Sequence, residues 1–268
     1  MTLPTRPLGR TGRRASIIGL GGVTYNQLDE TQAAKVVHRA LDLGITYIDT
    51  AHGYTNSELR IGPVLRERRE GLYIASKSTA RDADTMRKHI EESLRRLQTD
   101  HVDCYQVHDL ATEDQLAQVL APGGAMEALE EYRANGVIDF IGVTGHRDPD
   151  LLCKALREYP FQSVLASTGA IHEAVRPFYR KVAKAAEERG AALLGMKVMG
   201  FGFLSHMAET AIAFVLSQER VASAVIGVDN AEHVEENVTF ARAFCEAMSP
   251  SQQKAVLAEA ARIYNQRK

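Results

Sequence analysis

A regular alternation of short apolar runs with amphipathic stretches is the feature of this chain that most constrains its fold. Eight apolar runs predict strands, at residues 15–22, 46–51, 72–78, 102–108, 138–145, 163–168, 191–198 and 223–228. The runs are nearly continuous and rich in Val, Ile and Leu, which is typical of parallel strands buried on both faces. The alternation therefore predicts a parallel sheet whose strands are connected by helices.

The stretches between the runs carry the start and stop signals of helices. Asp29 and Gln32 form a capping box at the start of one helix, and Gly44 is placed to end it. Near the C-terminus, Ser249 and Pro250 start a further helix. Helices are thus expected between the strands, with one extra helix at the end of the chain.

The number of strand–helix units decides between two α/β folds. Eight units in one chain predict a (β/α)8 (TIM) barrel, at close to the ~250 residues typical of that fold. No linker or low-complexity tract divides the sequence, so residues 1–268 are expected to form a single domain. A doubly wound sheet also alternates strands and helices, but at this length it usually has fewer strands or a second domain.

Charge and cysteine content exclude several classes of function. The net charge is −2 and no Lys/Arg-rich run occurs, so neither nucleic acid nor an anionic membrane is an expected partner. No apolar run reaches the ~20 residues of a membrane helix, and the first residues lack the apolar core of a signal peptide. Cys104, Cys153 and Cys245 lie far apart, without metal-ligand spacing. We expect a cytoplasmic protein without a metal site.

Three consecutive predicted strands carry a polar side chain at their end. Asp49 lies at the end of the second strand, Lys77 of the third and His108 of the fourth. Tyr54 follows the second strand in its loop. Lys77 needs an anion, because an unpaired charge at the end of an apolar strand is costly, and Asp49 can supply it. Taken alone, Asp49 would be interpreted as a turn cap and His108 as a core histidine, but the carboxyl ends of barrel strands meet at the catalytic face.

These four residue types together suit proton donation by a tyrosine. An unperturbed phenol has a pKa of about 10, and a neighbouring ammonium stabilises the phenolate, which makes the phenol a better acid. Tyr54 is therefore the expected proton donor and Lys77 its activating cation. Asp49 holds Lys77 in place, and His108 orients a carbonyl oxygen. The set suits reduction of a carbonyl group if a hydride source lies beside it.

With these residues in this order, the sequence resembles the aldo-keto reductase family over nearly its whole length. The segments that carry the resemblance are RPLGRTGRRASIIGLGG (6–22), IDTAHGYTNSE (48–58), IASK (74–77), DCYQVH (103–108), FIGVTGH (140–146) and VIGVDNAEHVEEN (225–237). The resemblance implies a (β/α)8 barrel with an N-terminal β-hairpin, a small-molecule carbonyl substrate and a nicotinamide cofactor bound in extended form.

The resemblance also implies a reaction and a set of residues that hold the cofactor. Hydride passes from the nicotinamide to an aldehyde or ketone while Tyr54 protonates the oxygen. NADP is the expected cofactor, with NAD as the alternative. The expected cofactor-binding residues are Gly22, Val23, Asp49, Thr144, Gly145, Met196, Lys197, Gly227, His233, Glu236 and Asn237.

The sequence departs from the family pattern where the nicotinamide is held. The usual Ser-Asn pair is Thr144-Gly145 here, so a hydroxyl is kept and an amide is lost. His146 is a candidate replacement for that amide. Met196 stands where a tyrosine commonly stacks on the nicotinamide, and a thioether covers less of the ring. The glutamine expected after the sixth strand is also absent.

Two further departures concern charge. Lys197 has no ordinary counterpart, and is either a solvated lysine or a ligand for a cofactor phosphate or an acidic substrate. Asp229 and His233 stand where NADP-preferring members carry Lys or Arg. A carboxylate would repel a 2′-phosphate but can accept hydrogen bonds from a free ribose, so tolerance for NAD is a hypothesis. The short segment after the seventh strand predicts an open pocket.

Two alternatives to carbonyl reduction stay open from the residues alone. One is a nicotinamide-binding regulatory or interaction protein with a weakened active site, as the altered carboxamide residues suggest. The other is a Schiff-base lyase or aldolase that uses Lys77 or Lys197, because barrels often carry such lysines. Asp49, Tyr54 and His108 together fit reduction better. The sequence indicates neither the physiological substrate nor the oligomeric state.

Overall fold

A two-stranded hairpin and a closed parallel barrel make up the β-structure of residues 2–267, the part of the chain that the computed structural model describes. The antiparallel hairpin pairs β1 (Thr5–Pro7) with β2 (Arg14–Ser16). Each barrel strand pairs with the next along the chain, and the last pairs with the first, which confirms the predicted (β/α)8 barrel. The barrel strands are β3 (Ile18–Gly21), β4 (Tyr47–Asp49), β5 (Tyr73–Ser78), β6 (Val102–Val107), β7 (Ile138–Gly145), β8 (Ser163–Ser167), β9 (Ala192–Met196) and β10 (Val221–Gly227).

Helices surround the barrel and cover the outer faces of its strands. The last helix is the predicted extra helix at the end of the chain, and it packs against two others. No helix within residues 2–267 is long and apolar enough to cross a lipid bilayer. The helices are α1 (Glu30–Asp42), α2 (Ser57–Arg68), α3 (Ala83–Leu97), α4 (Glu113–Leu120), α5 (Ala125–Ala134), α6 (Pro149–Glu158), α7 (Ala170–Val175), α8 (Phe178–Arg189), α9 (Ala208–Leu216), α10 (Ala231–Ala243) and α11 (Pro250–Gln266).

The helix signals in the sequence act as predicted. The Asp29 carboxylate accepts a hydrogen bond from the Gln32 backbone N–H at 2.8 Å, and the Gln32 side chain accepts one from the Asp29 N–H at 3.2 Å. Gly44 follows α1 with a φ of +93°, a conformation that glycine adopts without a steric penalty. Ser249 forms the second capping box, with Pro250 as the first residue of α11.

The predicted strand at 15–22 is divided in the structure. Its first part, Arg14–Ser16, pairs with β1 in the hairpin, and only Ile18–Gly21 enters the barrel. The chain then turns into a 3₁₀ helix, Gly22–Gln27, directly at the carboxyl end of β3. This early turn brings backbone of the first loop to the rim of the barrel.

The hairpin is tied to the amino-terminal end of the barrel by a buried carboxylate. Asp103, 1% exposed, pairs with Arg13 of the hairpin turn at 2.7 Å and with Arg69 at 2.7 Å. Its carboxylate also accepts the backbone N–H of Ile74 at 2.8 Å. Asp103 therefore has a structural role at the amino-terminal end of the barrel, and it does not belong with the polar residues at the carboxyl end.

Alternate side chains of each strand point into the barrel and form layers. Tyr47, Tyr73, Leu165, Leu194 and Val225 belong to the interior cluster. The alternation continues toward the carboxyl ends, so that the last inward positions carry the polar rim. Each of these positions is identified by the period of two along its own strand or by its register with a neighbouring strand. They are Gly21, Asp49, Lys77, Gln106, Thr144, Ser167, Met196 and Gly227.

Candidate active site

A buried ion pair lies at the carboxyl ends of β4 and β5. Lys77 Nζ donates to Asp49 Oδ2 at 2.5 Å and to the backbone oxygen of Thr50 at 2.6 Å. Gln106 Nε2 donates to the other Asp49 oxygen at 3.1 Å. The side chains of Lys77 and Asp49 are 1% and 5% exposed. The predicted pairing of Lys77 with Asp49 is therefore present in the structure, out of contact with bulk water.

The surroundings of Lys77 keep it charged. Burial by itself would lower the pKa of Lys77, but the negative charge of Asp49 and the neighbouring Tyr54 outweigh this effect and raise it above the ordinary value. A permanently protonated lysine is a cation and a hydrogen-bond donor but not an amine nucleophile. The state of Lys77 thus disfavours the Schiff-base alternative at this residue.

Tyr54 and His108 complete the group at the rim. Lys77 Nζ lies 4.7 Å from the centroid of the Tyr54 ring. The His108 ring meets the Tyr54 ring edge-on, with 5.6 Å between the ring centroids and 83° between their planes. Tyr54 itself is half-buried. The four side chains predicted to form one site therefore do lie together.

His108 is a neutral imidazole in this environment. Burial, followed by the positive charges of Lys77 and Arg81, lowers the pKa of His108 to about 2. Its Nδ1 atom is buried without a hydrogen-bond partner among the described residues. A neutral imidazole carries one N–H donor and one acceptor nitrogen. His108 can therefore orient a polar group at the rim without adding a charge there.

Backbone strain is concentrated in the loops around this group. Thr55, Asp109, Lys197 and Phe201 have φ values of +34°, +50°, +62° and +61°. Such conformations cost side-chain-bearing residues about 1–3 kcal/mol each and tend to cluster at functional sites. Three of these residues directly follow a site residue of the sequence prediction, namely Tyr54, His108 and Met196. The strain points to the same rim as the ion pair does.

A cleft of about 400 Å³ opens beside the ion pair. Val23 and Phe201, which line the cleft, are 51% and 64% exposed, so solvent reaches the cleft. Seven residues of the predicted cofactor set line it, namely Gly22, Val23, Asp49, Met196, Lys197, Gly227 and His233. Of the others, Thr144 and Gly145 are buried on β7, Glu236 is exposed on α10 and Asn237 is buried there; all four stay predictions.

Comparison with known proteins agrees with this geometry. The sequence profile of the aldo/keto reductase family matches residues 17–207. The chain belongs to the aldo/keto reductase family. The chain is 24% identical over 287 residues to an uncharacterized oxidoreductase, YqkF, of Bacillus subtilis, which covers 89% of this chain and 91% of that protein. Membership in this family and the similarity to YqkF support an oxidoreductase that acts on carbonyl compounds.

Other relatives match this aldo/keto reductase over different lengths. L-Galactose dehydrogenase of Arabidopsis thaliana is 34% identical over 157 residues, which are 52% of this chain and 48% of that enzyme. A putative aldo-keto reductase from Pseudomonas aeruginosa is 30% identical, covers 91% of this chain and 97% of its own, and superposes with a TM-score of 0.79. The holo form of an aldo-keto reductase from Bacillus halodurans shares the fold, with a TM-score of 0.82 at 22% identity over 97% of this chain and 96% of that one.

The surroundings of Gly145 in this aldo/keto reductase leave little space for the amide of the Ser-Asn pair. A Cβ atom on Gly145 would lie 3.0 Å from the backbone oxygen of Leu110 and 3.1 Å from the Leu152 side chain, so a larger residue requires these neighbours to move. The Thr144 hydroxyl accepts the backbone N–H of Asp109 at 3.0 Å and keeps its own hydrogen for another partner. His146, the candidate replacement, lies with its Nδ1 3.3 Å from Asp109. Thr144 thus retains a donor, and His146 lies beside the Asp109 carboxylate.

Two rim residues of this reductase were not among the predicted site residues. Gln106 holds the free oxygen of Asp49, and Ser167 carries a buried Oγ without a hydrogen-bond partner in the described chain. Ser167 pairs in register with Met196 and lies two residues beyond Leu165, which lines the cleft. The signal that could have identified both residues is the period of two along β6 and β8, because inward positions recur at every second residue.

Two polar residues near Tyr54 belong to the supporting structure. His52 Nε2 lies 2.7 Å from a Glu92 oxygen, and its ring stacks on His89 with 3.7 Å between centroids. Glu58 lies in the first turn of α2, and its buried carboxylate accepts the Ser76 hydroxyl at 2.6 Å. Both therefore have structural partners that hold the second loop against α3 and β5.

The far end of the cleft carries a carboxylate and no basic cluster. Asp229 and His233 both line it, and their side chains are 2.8 Å apart. No arginine belongs to the lining among the described residues. This arrangement agrees with the hypothesis of NAD tolerance, which stays a prediction.

Proposed function

We propose that this aldo/keto reductase reduces an aldehyde or ketone to an alcohol, with NADPH or NADH as the hydride source and Tyr54 as the proton donor. The observation that carries the proposal is the buried Lys77–Asp49 ion pair, with Lys77 Nζ 4.7 Å from the Tyr54 ring centroid. A fixed cation beside a phenol favours the phenolate that proton donation leaves behind. Family membership supports the same reaction class.

The residues at the rim fit a nicotinamide cofactor, which when bound supplies the hydride. The Ser167 hydroxyl is buried without a partner in the described chain and can donate to the carboxamide, as can Thr144. The Met196 side chain lines the cleft and can cover one face of the nicotinamide ring. At Gly22 a Cβ atom would lie 2.4 Å from the Ser57 hydroxyl, so a side chain there would require Ser57 to move, and the glycine lets backbone line the cleft directly. NADP is our default and NAD the alternative.

Each member of the catalytic group has a separate task in this proposal. Tyr54 gives its phenolic proton to the carbonyl oxygen as the hydride arrives at carbon. Lys77 stays protonated and stabilises the phenolate, while Asp49 keeps Lys77 in position and compensates its charge. His108, neutral at physiological pH, donates a hydrogen bond that orients the carbonyl oxygen toward Tyr54.

The substitution Tyr54→Phe tests the role of the phenol. General acid catalysis typically contributes about 10²–10⁴-fold, so kcat should fall by at least about 100-fold. The Kd for NADPH, measured by fluorescence titration, should stay within about twofold, because the ring is kept and a change of twofold is only about 0.4 kcal/mol. Tyr132→Phe is the matched control, since that hydroxyl contacts Glu91 on the surface.

Two outcomes would contradict the proposal. An unchanged kcat in Tyr54→Phe would remove the phenol from the mechanism. Binding of NADPH without turnover of any compound in a broad panel of aldehydes and ketones would instead favour the regulatory protein with a weakened active site. The absorbance of the reduced nicotinamide follows turnover in both cases.

A further inference from the structure

Lys197 is a cation at the catalytic rim, and within residues 2–267 no carboxylate forms an ion pair with it. It follows Met196 in a left-handed conformation, with a φ of +62°, and lines the cleft. Its Nζ lies 4.4 Å from the centroid of the Phe201 ring. No hydrogen-bond acceptor of the described chain contacts this ammonium, although an ammonium has three donors. A cation–π contact alone contributes about 0.5–2 kcal/mol and leaves those donors unused.

A second cavity adjoins the cleft at Phe201, whose side chain lines both. We call it the side pocket; it has a volume of about 200 Å³. His146 and His172 line its polar part, and Ile171 and Phe178 line its apolar part. The Nδ1 atom of His172 is buried and has no partner among residues 2–267. The side pocket thus offers an apolar wall together with an unused imidazole nitrogen.

The charges around the side pocket are mainly positive. Burial first, and the charge of Lys197 next, lower the pKa of His172 to about 4. Arg176 also lines the pocket and is exposed at its surface. The nearby acid, Asp109, lies 3.3 Å from His146 and 3.6 Å from Arg147, so it is a single carboxylate among several basic side chains. A negatively charged ligand would compensate the excess of positive charge around the side pocket.

We infer that Lys197 and His172 bind a carboxylate carried by the carbonyl substrate, which occupies the side pocket while its carbonyl group lies at Tyr54 and His108. This assignment of an acidic substrate rests on the proposed function. The single ammonium of half-buried Lys197 matches the single charge of a carboxylate, and a neutral imidazole can donate the second hydrogen bond. Ile171 and Phe178 accept the apolar body of such a substrate.

The position of Lys197 favours a substrate anion over a cofactor phosphate. The charges that act on Lys197 are those of Asp109 and Lys77. Lys197 in turn acts on His108 and His172. All of these residues belong to the catalytic half of the rim and the side pocket. The opposite end of the cleft is formed by other residues, among them Asp229 and His233.

The variant Lys197→Met removes the ammonium and keeps an unbranched side chain of similar length. Loss of a charged hydrogen bond should lower kcat/KM for 4-carboxybenzaldehyde by about tenfold to a hundredfold. With the neutral ester methyl 4-formylbenzoate, the loss should be at least about tenfold smaller. His172→Phe, which keeps a ring against Phe201, should show the same selectivity to a lesser extent. Lys184→Met, on the exposed surface of α8, is the matched control.

Binding measurements separate this inference from the proposed function. Calorimetric titration of the protein saturated with NADP⁺ uses 4-methylbenzoate, which cannot be reduced, with 4-methylbenzamide as the neutral probe. Tighter binding of the benzoate by the wild type, lost in Lys197→Met while the Kd for NADPH stays constant, supports the inference. The same loss in a protein that reduces no carbonyl compound would refute the proposed function and leave the anion site supported.

Two results would overturn the assignment. Equal losses with the acid and the ester, together with a raised Kd for NADPH in Lys197→Met, would place a cofactor phosphate on Lys197. Equal binding of 4-methylbenzoate by the wild type and Lys197→Met would show that the ammonium binds no substrate anion.

Discussion

Removal of the charge on Lys77 should destabilise the protein as well as stop turnover. In Lys77→Met the buried Asp49 carboxylate, 4% exposed, keeps the hydrogen bond from Gln106 but loses its cation. Breaking a buried ion pair by removing one partner typically costs about 3–5 kcal/mol, because the remaining charge stays buried without compensation. We expect a decrease of that size in the free energy of unfolding.

The double variant Asp49→Asn/Lys77→Met distinguishes the ion pair from simple loss of packing. Asp49→Asn alone leaves the ammonium with the Thr50 carbonyl but no counter-charge, and should also cost about 3–5 kcal/mol. The double variant carries no buried charge, and should be no less stable than either single variant. The coupling free energy is therefore expected to be at least about 3 kcal/mol.

Urea denaturation followed by far-UV circular dichroism measures these differences, since the chain contains no tryptophan for a fluorescence signal. Lys184→Met, which removes an exposed partner 3.8 Å from Glu188, is the control and should change the stability by less than about 0.5 kcal/mol. Additive losses in the double variant would refute the reasoning, because they would mean that the two charges do not stabilise each other in the folded state.

Three further predictions concern acid stability, the Thr-Gly pair and cofactor choice. Burial lowers the pKa of His108 to about 2, whereas a histidine in the unfolded chain has a pKa near 6.5. Below about pH 6.5 only the unfolded chain therefore takes up this proton, and the free energy of unfolding falls by about 1.4 kcal/mol per pH unit. His108→Gln should reduce that slope in urea titrations between about pH 6.5 and pH 4.5, and an unchanged slope would argue against a neutral buried His108. Gly145→Asn should lower the free energy of unfolding by about 1–3 kcal/mol, because its side chain would crowd the backbone oxygen of Leu110, and the decrease is measured as a lower Tm. Gly53→Ala is the control, because an added Cβ atom there would meet nothing within 4 Å. Asp229→Arg should raise the ratio of kcat/KM for NADPH over NADH at least about tenfold, and a wild-type preference for NADPH above about a hundredfold, or 2.7 kcal/mol, would exclude NAD tolerance.

The barrel and the ion pair were predictable because their signals are local in the sequence. Apolar runs that alternate with capped helices specify strand and helix lengths, and eight such units close into a barrel. Lys77 and Asp49 could be paired in advance, since each ends an apolar run and an uncompensated charge at that depth is costly. Tyr54 and His108 were predicted from their places after the second strand and at the end of the fourth, and the order of the four residues resembled a known family, which the family match confirms.

The supporting rim residues lie within the predicted strands, but their role was not predicted. Gln106 and Ser167 occupy inward positions, two residues beyond Cys104 and Leu165 of the interior cluster. Their role depends on the register between neighbouring strands, which aligns Lys77 with Gln106. Register is a property of the assembled sheet, so alternation along one strand suggests a direction for the side chain but not its partner.

The sequence by itself determined the fold class, the helix ends and the four polar side chains of the rim, because periodicity, capping and the cost of burying charge all act over a few residues. Only the tertiary structure decided which basic side chains converge near the side pocket. Lys197 and His172 follow different strands, and both side chains contact the Phe201 ring. The left-handed backbone at Lys197 and Phe201 directs these two side chains toward each other. Such contacts between loops depend on the closure of the whole barrel, and no local pattern in the chain encodes them.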